Sequence, residues 1–181
     1  MKHNVFYWLV VNCLILTSCS QNKKVHGDWE QNKVYKWNDY YKSNECFSVD
    51  FESELMLDVF PDVKFKWTRL SVTAEENGIE KGLISGMPVL NVYFTDLTND
   101  GFPEICSTVN FGSGIIDSHI EVYDLKNDKK YTLWERMEYD YNLIMENDEL
   151  LVEKRPYICN EDYSAETGKL IMEDDMLKFK Q

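Results

Sequence analysis

Histidine is scarce in this chain: three in 181 residues, at positions 3, 26 and 119. A zinc site built from histidine and cysteine needs more ligands than that. Basic residues are also few, 19 lysines and arginines against 32 aspartates and glutamates. So acidic a chain excludes nucleic acid as a partner and an electrostatic grip on anionic lipid. No low-complexity block, internal repeat or segment with helical periodicity over three turns follows the first twenty residues. The one apolar run, Val5 to Leu16, is too short for a committed membrane span.

That run follows a short basic start, Met1-Lys2-His3, and ends in Leu16-Thr17-Ser18-Cys19. The pattern is that of a targeting segment rather than of structure. Small residues before a cysteine, directly after an apolar stretch, resemble the lipobox of bacterial lipoprotein signal peptides. The resemblance implies cleavage before Cys19 and diacylglyceryl attachment to its sulfur. Two acyl chains suffice for stable anchoring where one is marginal. The expected organisation is a signal peptide over 1–18, a lipidated tether over 19–33 and a single β-rich domain over 34–181. An uncleaved or conventionally cleaved signal with an incidental cysteine is the alternative.

Removal of residues 1–18 leaves 18 basic and 32 acidic residues, a net charge of −14. About 160 residues suit one domain with a proper core. Four cysteines remain, at 19, 46, 106 and 159. An exported context permits a disulfide. Cys46 and Cys159 lie in polar, loop-like surroundings and make the favoured pair, whereas Cys106 lies in a strand and reads as a small buried hydrophobe.

Short apolar stretches recur about every ten residues, separated by acidic or glycine turns, which predicts an all-β domain, an antiparallel meander or sandwich with few or no helices. Phe51–Phe60 reads as a strand broken by Pro61-Asp62. Val63–Thr73 reads as one strand with a bulge or bend near Leu70–Val72. Glu75–Gly78 is a hairpin turn. Val89–Thr95 and Ile105–Asn110 flank an acidic loop, and Phe111–Gly114 is a glycine turn. His119–Leu125 pairs with Tyr131–Arg136, Tyr139–Met145 with Leu150–Lys154, and Gly168–Glu173 with Met176–Phe179.

The acidic loop, Asp96-Leu97-Thr98-Asn99-Asp100-Gly101-Phe102-Pro103-Glu104, is where residue type and spacing suggest a chemistry. Oxygen-bearing side chains stand at relative positions 1, 3, 5 and 9: Asp96, Thr98, Asp100 and Glu104. Alternate oxygens around a tight turn suit a hard cation such as calcium. Gly101 permits the bend, and the Phe102 carbonyl is a further candidate ligand. A helical EF-hand needs a bidentate glutamate at position 12; here Ser107 stands there, within a strand. The expected cofactor is therefore a structural calcium ion held by a β-type loop. The competing reading is an acidic turn, since Asp, Asn, Thr and Gly also furnish any solvated turn between strands.

Phe60–Thr68 (FPDVKFKWT), Ser85–Asp117 (SGMPVLNVYFTDLTNDGFPEICSTVNFGSGIID), Val122–Leu125 (VYDL) and Tyr139–Tyr141 (YDY) together resemble an extracellular domain that recurs in Gram-positive, mainly clostridial, bacteria. There it often ends membrane metallopeptidases similar to the β-lactam-sensing antirepressor peptidases. The resemblance implies an exported sensory or binding domain. It does not carry the protease activity over, because the chain has no HExxH motif. A Ser-x-x-Lys followed by Lys-Thr-Gly is absent too. The acidic loop is similar to the FG-GAP and VCBS calcium-loop repeats of β-propellers. A single such unit argues against a propeller built by this chain alone.

Three function classes stay open. The favoured one is a lipid-anchored, extracytoplasmic binding or sensing domain with a protein or carbohydrate ligand, for which Trp29, Trp37, Tyr40, Tyr41 and Tyr163 are platform candidates. Core packing is the commoner fate of such side chains in a small β domain. The second is a cell-envelope hydrolase using paired carboxylates. A Ser113–His119–Asp117 arrangement lacks a nucleophile elbow, and His119 is expected at the surface or a strand edge. The third is a structural envelope protein that binds another membrane protein. No catalytic residue is assigned.

Overall fold

The computed structural model describes residues 54–112, 116–147, 149–157 and 164–181, with two short strands at 34–35 and 47–48. Among these residues there are fourteen strands and no helix, so the protein is all-β as expected. The predicted lipidation site Cys19, the predicted pair Cys46 and Cys159, and the five platform aromatics lie outside the described residues, as does Ser113.

The strands form three sheets, each built around a four-stranded antiparallel meander. Sheet A holds β3 (Glu54–Leu57), β4 (Phe60–Trp67), β5 (Ser71–Glu76) and β6 (Ile79–Ser85). The short β1 (Val34–Tyr35) is added to it, parallel to β3. Sheet B runs β10-β9-β8-β7-β2. Its members are β2 (Phe47–Ser48), β7 (Tyr93–Thr95), β8 (Glu104–Phe111), β9 (Asp117–Asp124) and β10 (Lys129–Leu133). Sheet C is β11 (Tyr139–Glu146), β12 (Glu149–Pro156), β13 (Glu166–Glu173) and β14 (Met176–Lys180). The sequence repeat that was absent thus has a structural counterpart, one meander used three times.

Local chemistry sets the turns. Asn77 and Gly78 both have positive φ, 53° and 78°, between the paired Glu76 and Ile79. Asp174 and Asp175 do the same, at 53° and 59°, between Glu173 and Met176. Two-residue turns with both central residues left-handed match the twist of the flanking strands, and Asn, Asp and Gly tolerate that conformation best.

Two strand boundaries differ from expectation. Pro61 and Asp62 do not break a strand; the chain turns at Asp58-Val59, and both residues lie inside β4. The β4–β5 ladder starts only at Val63, so Pro61 forfeits no ladder bond there. The predicted bent strand 63–73 is two strands joined by a turn. The Thr68 N–H donates to the Ser71 carbonyl at 2.8 Å, and the Thr68 hydroxyl accepts the N–H groups of Leu70 and Ser71. A threonine that satisfies the backbone locally competes with a continued ladder.

Sheet B is the middle layer. One of its faces contributes Ile105, Val109 and Tyr123 to a core shared with Leu55, Phe65, Trp67 and Ile84 of sheet A. The other contributes Cys106, Ile120 and Val122 to a core shared with Tyr141, Leu143, Val152 and Leu170 of sheet C. Cys106 is fully buried, as its strand position predicts. With both faces covered, β8 and β9 bury polar residues as well, among them Glu104, Ser107, Thr108, His119 and Asp124.

Candidate metal centre

The acidic loop joins β7 to β8 and lies at one end of the middle sheet. Asn99 (φ 59°) and Gly101 (φ 84°) are both left-handed, which winds the chain back on itself. Asp96 ties the winding together: its Oδ1 accepts the Asp100 N–H at 3.0 Å and its Oδ2 the Gly101 N–H at 2.8 Å. The Phe102 N–H donates to Asp100 Oδ1 at 2.9 Å. Glu104 opens β8 and points back into the loop. Its Oε2 accepts the Leu97 N–H at 2.6 Å and its Oε1 the Thr98 hydroxyl at 2.8 Å.

This winding brings Asp96, Asp100 and Glu104 together, with one oxygen of each within 4.8 Å of the others. Two oxygens bound to one calcium at about 2.4 Å can be no more than roughly 4.8 Å apart, so the three fit a single shared ion. The cluster can hold a metal. Each carboxylate oxygen has two lone pairs, so the hydrogen bonds above do not use up its capacity. Of the other predicted ligands, Thr98 turns its hydroxyl to Glu104, and the Phe102 ring lies under Lys126 Nζ, 4.1 Å from its centroid.

Charge in the loop is uneven. Asp100 has a cation: Lys126 Nζ donates to its Oδ2 at 2.8 Å. Burial pushes the Asp100 carboxyl up, but Lys126 and the Phe102 N–H outweigh this and hold it below the usual range. Among the described residues Glu104 has no such cation. It is 1% exposed. Burial raises its pKa to about 7, against the pull of the Thr98 and Leu97 hydrogen bonds and with the push of Asp96 and Asp124. A buried carboxyl beside two anions either keeps a proton or takes a cation.

Asp124 is the member that the sequence does not reveal. It ends β9 one residue beyond the Ile105–Tyr123 pair, across from Glu104, and is 3% exposed. Its oxygens accept the backbone N–H and the side-chain amide of Asn127 at 2.9 and 2.7 Å. It lies 20 positions beyond Glu104, and only the β8–β9 register brings the two together. Lys126 is likewise invisible from loop spacing.

Away from the loop, His119 corrects an expectation. It is buried (4% exposed), stacked on Trp134 with ring centroids 4.5 Å apart. Its Nε2 lies 3.6 Å from Glu121 Oε1, and Lys130 Nζ lies 2.6 Å from Glu121 Oε2. Burial raises the Glu121 carboxyl, but His119 and Lys130 outweigh it and hold the group below its usual range. A surface or strand-edge position is the expectation from sequence; β9 instead lies between β8 and β10 in the covered middle layer.

No protein-family model, curated protein or solved structure matches this chain.

Proposed function

We propose that the chain is a lipid-anchored, extracytoplasmic binding or sensing domain whose β7–β8 corner is braced by a structural calcium ion. Asp96, Asp100 and Glu104 are the carboxylate ligands, with the Phe102 carbonyl completing the set. Thr98 holds Glu104 from behind. The observation that carries the calcium reading is the three-carboxylate cluster with its buried member, Glu104, which faces anions and, among the described residues, no cation. A donor set of three carboxylates and a backbone carbonyl favours calcium over magnesium, which demands near-octahedral geometry and keeps several waters. The lipid anchor rests on the Leu16–Cys19 sequence. The likeness to FG-GAP and VCBS loops is supported by the loop's place at the first connection of a four-stranded meander, the unit from which propeller blades are made.

Paired-carboxylate hydrolysis is the weaker reading. A general acid must reach the substrate, and Glu104 is buried with both oxygens engaged by its own loop.

Thermal melts of the purified protein with excess calcium and with chelator test the metal reading. At a hundredfold its Kd, a ligand of the folded state stabilises by about 2.7 kcal/mol, several degrees in Tm. The shift should vanish in Asp100→Ala. Superimposable melts with and without calcium would reduce the loop to an acidic turn.

A further inference from the structure

The end of the molecule opposite the acidic loop is apolar. β8 starts at Glu104 and ends at Phe111, a run of roughly 23 Å by strand rise. Around Phe111 stand Leu70, Met87, Ile116, Trp134 and Met137, six side chains that are each between 37% and 67% exposed. Backbone and ring contacts hold them at one place. The Gly86 N–H donates to the Leu70 carbonyl at 3.0 Å, and the Met87 N–H to the Asn110 carbonyl at 2.8 Å. Phe111 and Trp134 have ring centroids 6.0 Å apart. Phe111 pairs with Asp117, next to Ile116, and Asp117 Oδ2 accepts the Met137 N–H at 3.2 Å. A soluble protein rarely gathers exposed large apolar side chains this way unless they meet something.

The strand that leads into the domain says what they meet. β1 runs parallel to β3, with Val34 opposite Met56 and Tyr35 opposite Leu57. It is therefore entered from the Glu54 end. Glu54 pairs with Lys66, next to the turn that carries Leu70. β1, the first described strand after Cys19 in the sequence, thus starts toward the apolar end, and the acidic loop lies at the other end.

We propose that this end rests on the lipid bilayer, inserting Leu70, Phe111 and Trp134 at the interface while the acyl chains on Cys19 hold the protein there. The proposal rests on the lipid-anchor reading for its tether. Fifteen tether residues can extend by as much as roughly 50 Å, so the anchor alone leaves the head free to turn. The apolar end fixes its orientation. Tryptophan suits the site, with an apolar body and an N–H for the headgroup layer. Arg69 and Arg136 are exposed beside the patch, and so is Glu138. Local charge is mixed, and apolar contact supplies the attraction. The acidic loop is thereby held out toward the medium.

The test uses the full-length protein extracted from membranes and reconstituted into phosphatidylcholine vesicles with brominated acyl chains. Bromine quenches tryptophan at the interface. The expected result is quenching that Trp134→Phe largely removes. The double substitution Leu70→Glu with Phe111→Glu, which keeps Trp134, should lose the same quenching. Far-UV circular dichroism shows whether either variant stays folded. Equal quenching in the parent and the folded Trp134→Phe protein overturns the proposal. So does an unquenched Trp134 in a protein whose mass shows the diacylglyceryl group, which would leave the anchor reading standing and give the patch to a protein partner. Quenching of Trp134 in a protein whose mass lacks that group supports the contact and removes the anchor.

Discussion

The Thr108 hydroxyl accepts the backbone N–H of Leu143 at 2.8 Å, across 35 residues of chain and from one sheet to the next. Thr108 lies in the middle of β8, and Leu143 in the middle of the edge strand β11. Asn91 completes the clasp: its amide donates to the Leu143 carbonyl at 3.0 Å, and its oxygen accepts the Thr108 N–H at 2.8 Å. The open edge of sheet C is thus satisfied at Leu143 by Thr108 of sheet B and by Asn91, which precedes β7.

Replacement of Thr108 by valine keeps the shape and removes the acceptor. The buried Leu143 N–H is then left without a partner, at a cost of about 1–3 kcal/mol. Serine keeps the hydroxyl and should lose less. Urea denaturation of the two variants separates the hydrogen bond from the packing; a larger loss in the serine variant than in the valine variant would put the effect in the methyl group.

The Glu104 carboxyl makes stability fall as pH rises. Its pKa in the folded protein is raised to about 7 from 4.5. Between those values the native state holds a proton that the unfolded state has released, so the slope of unfolding free energy with pH is negative. The loss, complete above pH 7, is on the order of 2 kcal/mol once residual screening is allowed for. Chelator-treated protein should therefore melt lower at pH 8 than at pH 5.5 through this group, and Glu104→Gln should flatten the difference. Saturating calcium should flatten it as well.

Lys126 competes with any ion for Asp100. Lys126→Met removes that cation, and the exposed pair is worth less than about 1 kcal/mol to the fold. Calcium titration by calorimetry should show tighter binding in the variant, with little change in the calcium-free melt. Weaker binding would contradict the assignment of Asp100 as a ligand.

Gly168 is fixed by close approach rather than by a turn. A Cβ there would lie 2.5 Å from the Lys180 carbonyl oxygen and 2.7 Å from the Phe179 ring. Backbone cannot move aside as a flexible side chain can. Gly168→Ala should cost roughly 1–3 kcal/mol by overpacking, visible as a lower urea midpoint. An unchanged midpoint would mean that β13 and β14 separate at little cost.

What the chain determines locally is legible in its sequence. Asn77-Gly78 and Asp174-Asp175 specify left-handed two-residue turns because few other residues accept that backbone, and the strands between them follow from alternation. The acidic loop is legible for the same reason: Asp96, Gly101 and Glu104 act within nine residues. What the sequence does not determine is which faces are covered. Nothing local marks His119 as buried, and a surface or strand-edge position is the expectation for it. Stacking of sheets A and C on both sides of sheet B buries it instead, along with Glu104 and Asp124. The β8–β9 register sets Asp124 against Glu104, and the parallel pairing with β3 sets the direction of β1. Turns are made by neighbours in sequence; burial and pairing are made by segments that meet only after the chain has folded.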